Sequence, residues 1–304
     1  MTEQKSFVIG VDIGGTYLRI GGVNEEKELL CFRKIPVGEV FGSGDVLKDL
    51  RDFLLEYLRQ PVFQGEIAAV AMGFPATLNK ERTIVMQAPN IPYMEKLPIV
   101  EYLQKELSVP VFIEKDVNLT LLYDKEYYQL PDEGILVGCY FGTGIGNAVC
   151  IDGKILKGKD GAAGELGHIK VWGNEEPCGC GNAGCMENLA GGKFLTGLCR
   201  EQYRHTPIQE IFEKHGKESL LLEFVQRMAI TVSTEINILN PDHVILGGGV
   251  LSMKDFPVSY LTEKIYEYTR KPYPADSLSL IFSEDEKTKT VLGAAAYARR
   301  QISQ

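Results

Sequence analysis

The sequence predicts an α/β protein whose two halves begin in the same way. Residues 7–23 consist of two short apolar, β-branched runs separated by a glycine turn, and residues 135–151 repeat that pattern. Such runs, bounded by turn residues, are typical of β-strands. The chain has 304 residues, which is long enough for two domains of ordinary size or for one large α/β domain.

The first predicted hairpin pairs residues 7–11 with residues 18–23. Its turn contains Asp12, Gly14, Gly15 and Thr16. Backbone N–H groups and a threonine hydroxyl in such a turn are suited to bind an anion, with phosphate as the expected ligand. An ordinary structural hairpin is an equally good interpretation of this segment alone.

The second predicted hairpin pairs residues 135–141 with residues 147–151. Its turn contains Gly142, Thr143 and Gly144. Neither turn is a Walker loop, because no lysine follows the glycines, and neither opens a helix as a dinucleotide fingerprint would. Two such turns, facing each other across a cleft and one headed by an aspartate able to hold Mg²⁺ through water, favour nucleotide phosphates.

Two further segments have small side chains that allow another group to approach the backbone closely. Residues 244–246 read as a strand that follows a predicted helix over about 221–239 and runs into Gly247, Gly248 and Gly249. A loop without side chains can lie flat against a purine. Residues 290–296 open the C-terminal helix with small side chains, which suits contact with another helix.

Asp116 stands where a predicted strand at residues 109–113 gives way to a helix that continues through residues 117–123. Aspartate is favoured at such a position because it caps first-turn amides. A carboxylate at the mouth of a strand is also placed to accept a proton from a hydroxyl that attacks a γ-phosphate. The two roles are compatible.

A cluster of metal-type ligands follows in the second half. The candidate ligands are His168, Cys178, Cys180 and Cys185. Three thiolates and one imidazole match the tetrahedral sphere of a closed structural zinc site. A disulfide set would leave one of these cysteines unpaired. Glu165 and Glu187 flank the cluster, and a bound metal would fix both carboxylates in place. The remaining cysteines are expected to be small buried residues: Cys31, Cys139, Cys150 and Cys199.

Charge and hydropathy exclude several classes of partner. The formal net charge is -9, with acidic and basic residues interspersed, which argues against nucleic acid and against an anionic membrane surface. No apolar run approaches the roughly 20 residues that span a bilayer, and no signal-peptide pattern opens the chain. Together with reduced cysteines, these features predict a cytoplasmic protein.

The assembled motifs resemble those of ROK family sugar kinases, which have a two-domain actin-like ATPase fold with a cleft between the domains. The residue 12–16 and 142–146 turns match the two phosphate motifs, and residues 247–249 match the adenosine motif. Residues 164–168 and 178–187 match the zinc signature. The expected domains are residues 1–117, with the C-terminal helix 289–304 packing back on them, and residues 118–288, which carry the zinc loop.

This resemblance implies a mechanism and a set of ligands. Asp116 would be the general base for the primary hydroxyl of a hexose, with Mg²⁺ accompanying ATP and structural Zn²⁺ in the loop. The resemblance implies these sugar-binding residues: Asn90, Lys115, Asp116, Glu165, His168 and Glu187. His168 would hold zinc through one ring nitrogen and meet a sugar hydroxyl through the other. The phosphoryl donor stays open, because a glycine loop against a purine is permissive. Relatives are commonly dimers, so a homodimer is expected.

Lys115 departs from the common family pattern, which has asparagine immediately before the catalytic aspartate. The D-allose kinase branch is similar in having a basic residue there, which favours allose. Glucose, N-acetylmannosamine and β-glucosides remain alternatives. A sugar-responsive regulator of the same family is a rival of another class, but its DNA-binding module is not expected here. A non-catalytic sugar-binding protein would be expected to have lost Asp116 or a phosphate turn.

Overall fold

The computed structural model describes residues 6–63, 65–284 and 287–303. These residues form two compact units. The first unit comprises the described residues within Met1–Leu130, Lys157–Ala163 and Glu286–Gln304. The second unit comprises those within Pro131–Leu156 and Gly164–Asp285.

The first unit is a five-stranded sheet with helices and a small hairpin. Its strands are β1 (Ser6–Ile13), β2 (Tyr17–Val23), β3 (Leu29–Pro36), β4 (Glu66–Phe74), β5 (Thr77–Leu78), β6 (Val85–Gln87) and β7 (Val111–Lys115). Its helices are α1 (Val37–Val40), α2 (Val46–Leu58), α3 (Ile99–Leu107), α4 (Asp116–Tyr127) and α10 (Lys289–Ile302). The main sheet has the order β3-β2-β1-β4-β7, and β5 pairs with β6. Strands β1, β4 and β7 are parallel, so their carboxyl ends share one edge.

The second unit repeats this architecture. Its strands are β8 (Ile135–Phe141), β9 (Ile145–Ile151), β10 (Lys154–Ile155), β11 (His243–Gly247) and β12 (Leu280–Phe282). Its helices are α5 (Glu187–Ala190), α6 (Gly192–Gln202), α7 (Ile211–His215), α8 (Ser219–Leu239) and α9 (Val258–Tyr268). The sheet order is β10-β9-β8-β11-β12, with β8, β11 and β12 parallel.

The two sheets therefore share one topology, which is the repeat that the sequence predicts. In each, an antiparallel hairpin is continued on one side by a third strand and on the other by two parallel strands. Each unit has its own buried apolar cluster, because the central strands are apolar on both faces and helices cover them. Strand β1, for example, is buried along its entire length after Ser6.

The C-terminal helix packs closely within the first unit, as its small residues predict. A Cβ atom at Gly293 would overlap the carbonyl oxygen of Leu119 on α4. A Cβ atom at Gly10 on β1 would overlap the carbonyl oxygen of Val291. Glycine at these two positions lets α10 lie against both α4 and β1.

The boundary between the units differs from the predicted one at residue 117. Helix α4 packs against α10 and β4, so the first unit continues to Leu130. The segment Lys157–Ala163 also returns to the first unit, although the chain on both sides of it belongs to the second. Tertiary packing of α4 causes the first difference.

Within the described ranges, no helix has the length and apolarity needed to cross a membrane.

Candidate active site

Asp12 and Asp116 lie at the same edge of the first sheet. Asp12 is at the carboxyl end of β1, and Asp116 directly follows β7. Strand β4 lies between the two, with Gly73 paired to Asp12 on one side and to Glu114 on the other. A side chain at Gly73 would meet Leu119 at 2.9 Å and the Cα of Asp116 at 3.4 Å. Glycine there allows the start of α4 to approach the sheet.

The Asp12 carboxylate is buried and paired with Arg19. The two residues face each other in the β1–β2 register, and Arg19 Nη1 donates to Asp12 Oδ2 at 2.7 Å. Burial and, second to it, the negative charge of Asp116 raise the pKa of Asp12, Arg19 opposes both effects, and the net result is a pKa of about 6. Asp12 is therefore mostly ionised at neutral pH, and its charge depends on its arginine partner.

Asp116 is the first residue of α4, and Lys115 precedes it in extended conformation. Asp116 Oδ1 accepts a hydrogen bond from the backbone N–H of Val117 at 2.7 Å. The side chain is half-buried. Asp116 therefore bonds to a first-turn amide from the first position of the helix, while Lys115 occupies the N-cap position.

The first glycine turn and Asn90 are neighbours. The turn closes through a hydrogen bond from Gly14 N to Tyr17 O at 3.0 Å, and Gly15 and Thr16 are exposed. A Cβ atom at Gly15 would lie 3.0 Å from the carbonyl oxygen of Asn90. The structure thus brings Asn90 to the same turn as the candidate phosphate ligands.

Lys115 is nearly buried, with 6% of its surface exposed. Its ammonium group donates to the carbonyl oxygen of Ala163 at 3.3 Å. Its backbone N–H donates to Glu114 Oε1 at 2.8 Å. The lysine is thus held within the first unit, directly before the candidate base.

In the second unit, Glu187 contacts the second glycine turn. Its Oε2 accepts a hydrogen bond from Ile145 N at 2.9 Å, and a Cβ atom at Gly144 would overlap that carboxylate. The backbone N–H of Lys193, near the start of α6, donates to the carbonyl oxygen of Thr143 at 2.8 Å. The turn is consequently fixed by a carboxylate and by a helix N-terminus.

The third glycine motif lies beside the second turn. Strand β11 pairs with β8, which places Gly247 opposite Tyr140. Gly248 has φ +98°, and a Cβ atom there would lie 2.6 Å from the carbonyl oxygen of Phe141, the residue before Gly142. Gly249 is exposed with open space at its Cβ position. The two motifs are therefore neighbours in the second unit.

The four candidate metal ligands converge. The ligand atoms of His168, Cys178, Cys180 and Cys185 all lie within 4.8 Å of one another. His168 Nδ1 is 3.6 Å from Cys178 Sγ, and Cys180 Sγ is 3.6 Å from Cys185 Sγ. Zn–S and Zn–N bonds of tetrahedral sites imply ligand separations of about 3.5–3.8 Å. The donor set and its spacing therefore fit one zinc ion.

Burial of Cys185 within this cluster also favours a cation. Desolvation raises the pKa of the Cys185 thiol to about 12, so its thiolate needs a neighbouring positive charge. The second ring nitrogen of His168 faces away from the cysteines and lies 3.7 Å from Glu165 Oε2. One imidazole thus connects the cysteine cluster to a half-exposed carboxylate.

The predicted site residues fall into two groups. The first unit holds Asp12, Gly14, Gly15, Thr16, Asn90, Lys115 and Asp116. The second unit holds Gly142, Thr143, Gly144, Glu165, His168, Cys178, Cys180, Cys185, Glu187, Gly247, Gly248 and Gly249.

Of the other cysteines, Cys139, Cys150 and Cys199 are buried as expected. The prediction is wrong for Cys31, which is exposed because the outer strand β3 is largely uncovered.

Arg19 is the residue that the sequence analysis missed. Counting outward from the glycine turn would have found it, since hairpin pairing places Arg19 opposite Asp12. Arg19 Nε is buried and makes no hydrogen bond within the described residues. A cation with an unused donor beside the first turn is suited to a phosphate group.

Comparisons with known proteins agree with this geometry. The glucokinase of Thermotoga maritima is 30% identical over 97% of this chain and 98% of its own. A putative xylose repressor from a Caldicellulosiruptor species is 25% identical over 88% of this chain and 72% of its own. The crystal structure of the ROK hexokinase from Thermus thermophilus superposes with a TM-score of 0.81 and 26% identity, covering 98% of this chain and 99% of that one.

The family model described as "ROK family" matches residues 8–301, which is nearly the entire chain. The solved relative with a TM-score of 0.81 also supports the predicted actin-like ATPase fold, with its two sheets of mixed α/β content. Because the family match and the relatives extend through both units, the chain belongs to the ROK family.

Proposed function

We propose that this ROK sugar kinase transfers the γ-phosphate of ATP to the primary hydroxyl of a hexose, with D-allose or a related hexose as substrate. The chain is a sugar kinase, as the similarity to a glucokinase over nearly its full length supports. The observation that carries the proposed chemistry is the position of Asp116. It follows a parallel strand at the edge where β1 ends, one residue after Asp12, and the first glycine turn begins.

In this mechanism Asp116 accepts the proton of the attacking hydroxyl. The two glycine turns hold the phosphates through backbone N–H groups, and residues 247–249 receive the adenosine. Asp12 would hold the metal ion of the nucleotide, for which its buried and ionised carboxylate is suited. The Mg²⁺ ion, when bound, neutralises charge on the transferred phosphoryl group.

The proposal assigns six residues to the sugar hydroxyls. These residues are Asn90, Lys115 and Asp116 of the first unit and Glu165, His168 and Glu187 of the second. Carboxylates and amides suit a polyhydroxyl ligand because each accepts or donates several hydrogen bonds. His168, Cys178, Cys180 and Cys185 hold a structural zinc ion that fixes Glu165 and Glu187, which flank it in sequence.

Lys115 supports the choice of allose over glucose. A cation directly before the base replaces a neutral amide of the common family pattern, and its burial among fixed groups limits its possible positions. The preference is measured by ADP release with allose, glucose, mannose, N-acetylmannosamine, N-acetylglucosamine and cellobiose. Allose as the best substrate, with Lys115→Asn moving the preference toward glucose, is the expected result. An unchanged order of substrates in that variant would remove the role given to Lys115.

The base is tested in the same assay with Asp116→Asn. We expect kcat to fall by about 10²–10⁴-fold, as is typical of a lost general base, with sugar binding largely kept. Asp52→Asn, an exposed aspartate of the same unit, is the matched control. Near-normal turnover in Asp116→Asn would contradict the mechanism.

Sugar binding without turnover in the unmodified protein would favour the family's sugar-sensing role instead. A homodimer is part of the proposal and is tested by sedimentation.

A further inference from the structure

One buried arginine connects the strand that leads to Asp116 with the segment that leads to Glu165. Arg82 lies between β5 and β6, and its side chain is 3% exposed. Its Nε is 2.9 Å from Glu114 Oε1 in a fully buried ion pair. Its Nη1 donates to the carbonyl oxygen of Gly161 at 2.9 Å. A single guanidinium thus touches two separate parts of the first unit.

Glu114 transmits this contact to the start of α4. The same Oε1 atom accepts hydrogen bonds from Lys115 N at 2.8 Å and from Asn118 Nδ2 at 2.9 Å. These groups flank Asp116 in sequence, one before it and one two residues after it. Because Glu114 is completely buried, the position of its carboxylate is determined by its neighbours and not by solvent.

The second part of the first unit that Arg82 contacts is the segment Lys157–Ala163, which we call the strap. It belongs to the first unit, although the chain enters it from β10 of the second unit and leaves it toward Gly164 and Glu165. Arg82 binds the carbonyl oxygen of Gly161, and Lys115 binds that of Ala163 at 3.3 Å. Two buried cations therefore hold backbone carbonyls near the end of the strap.

The fit of the strap against Arg82 requires glycine. Gly161 has φ +81°, and a Cβ atom there would lie 2.5 Å from the carbonyl oxygen of Leu78 and 2.8 Å from Arg82 Nη1. An alanine would have to push the strap away from its anchor. By contrast, the next residue, Ala162, is exposed and tolerates a small change.

Stability alone is a weak explanation for this arrangement. A buried ion pair often contributes little net stability relative to an apolar pair, because both charges lose their hydration. Here Glu114 Oε2 also accepts no hydrogen bond within the described residues. A buried pair that is incompletely satisfied, and that binds two functional segments, is better explained by the geometry it imposes.

We propose that Arg82 is a positioning residue for sugar binding: together with Glu114 it fixes Lys115 beside the base and anchors the strap that delivers Glu165. This inference rests on the proposed function, because it assigns Lys115 and Glu165 to the sugar. It predicts a selective effect. Loss of the anchor weakens sugar binding, while the glycine turns that hold ATP keep their own contacts.

The test compares Arg82→Gln and Gly161→Ala with the control Ala162→Ser. We expect the KM and the calorimetric dissociation constant for D-allose, or for D-glucose if that is the better substrate, to rise about tenfold or more in the first two variants. The KM for ATP should stay within about twofold. Trypsin should cleave faster after Lys159, which is exposed on the strap. Arg82→Lys should restore part of the sugar affinity.

Gly161→Ala keeps both Arg82 and Glu114, so it tests the anchor of the strap even if Arg82→Gln does not fold. Unchanged sugar affinity in folded Gly161→Ala would overturn the inference, as would an equal rise in the KM for ATP. Equal trypsin cleavage in all variants would also overturn it. If the proposed function itself is wrong, the same measurements give a different result. In that case the unmodified protein would turn over no sugar, while strap cleavage and sugar dissociation constants would still distinguish the variants.

Discussion

Asp12 and Arg19 show how one residue pair can set the charge at the first glycine turn. Burial and the charge of Asp116 raise the pKa of Asp12, and the Arg19 guanidinium lowers it. An ionised Asp12 is part of the proposed binding of metal-bound ATP. The activity should therefore depend on Arg19, although Arg19 is not in the glycine motif.

Replacing Arg19 by glutamine should move the acid limb of the pH profile to higher pH. Without its cationic partner Asp12 has a pKa above its present value of about 6, so a smaller fraction is ionised near neutral pH. The pH dependence of kcat/KM for ATP reports groups of the free enzyme and is the measurement. Arg51→Gln, which breaks an exposed ion pair of the same unit, is the control. An acid limb that does not move would contradict this role.

At the scale of elements, the cysteine loop is held by local contacts that a metal ion would complete. Short backbone bridges join Lys170 to Cys185 and Pro177 to Ala183, and Gly181 and Gly184 adopt positive φ. Backbone hydrogen bonds such as Cys178 N to Asn182 O at 2.8 Å and Gly184 N to Glu176 O at 2.7 Å also close the loop, but none of them joins all three thiols as a shared ion would. We therefore expect the loop to depend on zinc for its order.

Removing the metal should loosen the loop and weaken sugar binding together. Purified protein should hold one zinc per chain by mass spectrometry, and Cys180→Ser should reduce that content. The variant should also melt at a lower temperature and bind sugar more weakly, because Glu165 and Glu187 flank the loop. Cys31→Ser is the matched control, since Cys31 is exposed and outside the cluster. Full zinc content in Cys180→Ser would refute the ligand assignment.

At the scale of the whole molecule, a buried carboxylic acid links folding to pH. Glu235 on α8 is 6% exposed, and its Oε2 accepts hydrogen bonds from Asn147 Nδ2 at 2.7 Å and from Cys139 Sγ at 3.2 Å. Desolvation raises the pKa of Glu235 from 4.5 to about 7, and the two hydrogen bonds only partly oppose this shift. The folded chain therefore retains a proton that the unfolded chain releases.

The free energy of unfolding should accordingly fall as pH rises from about 4.5 to about 7, by about 3 kcal/mol from this group. Glu235→Gln stays neutral at every pH and should remove this contribution. The variant should gain melting temperature relative to the unmodified protein at pH 8 but not at pH 4.5. Glu201→Gln, an exposed position in the same unit, should show no such difference. A difference that is the same at both pH values would rule out Glu235 as the cause.

Much of this architecture was accessible from the sequence because its signals are local. The apolar runs that flank residues 12–16 and 142–146 predict both hairpins, and the spacing of the Cys178–Cys185 loop predicts converging ligands. Strand pairing and tight turns depend on residues that are close in the chain. The cytoplasmic location and the roles of the individual site residues stay predictions.

By itself, the sequence determined the two-part α/β organisation, the family, the glycine turns and the cysteine cluster, since each is encoded in a short contiguous pattern. Only the tertiary structure decided which unit α4 joins, that the strap returns to the first unit, and that Arg82 meets Glu114 and Gly161. The physical reason is the same in each case. Packing of α10 on α4 and burial of a charged pair join residues dozens to more than a hundred positions apart, and no local pattern records such contacts.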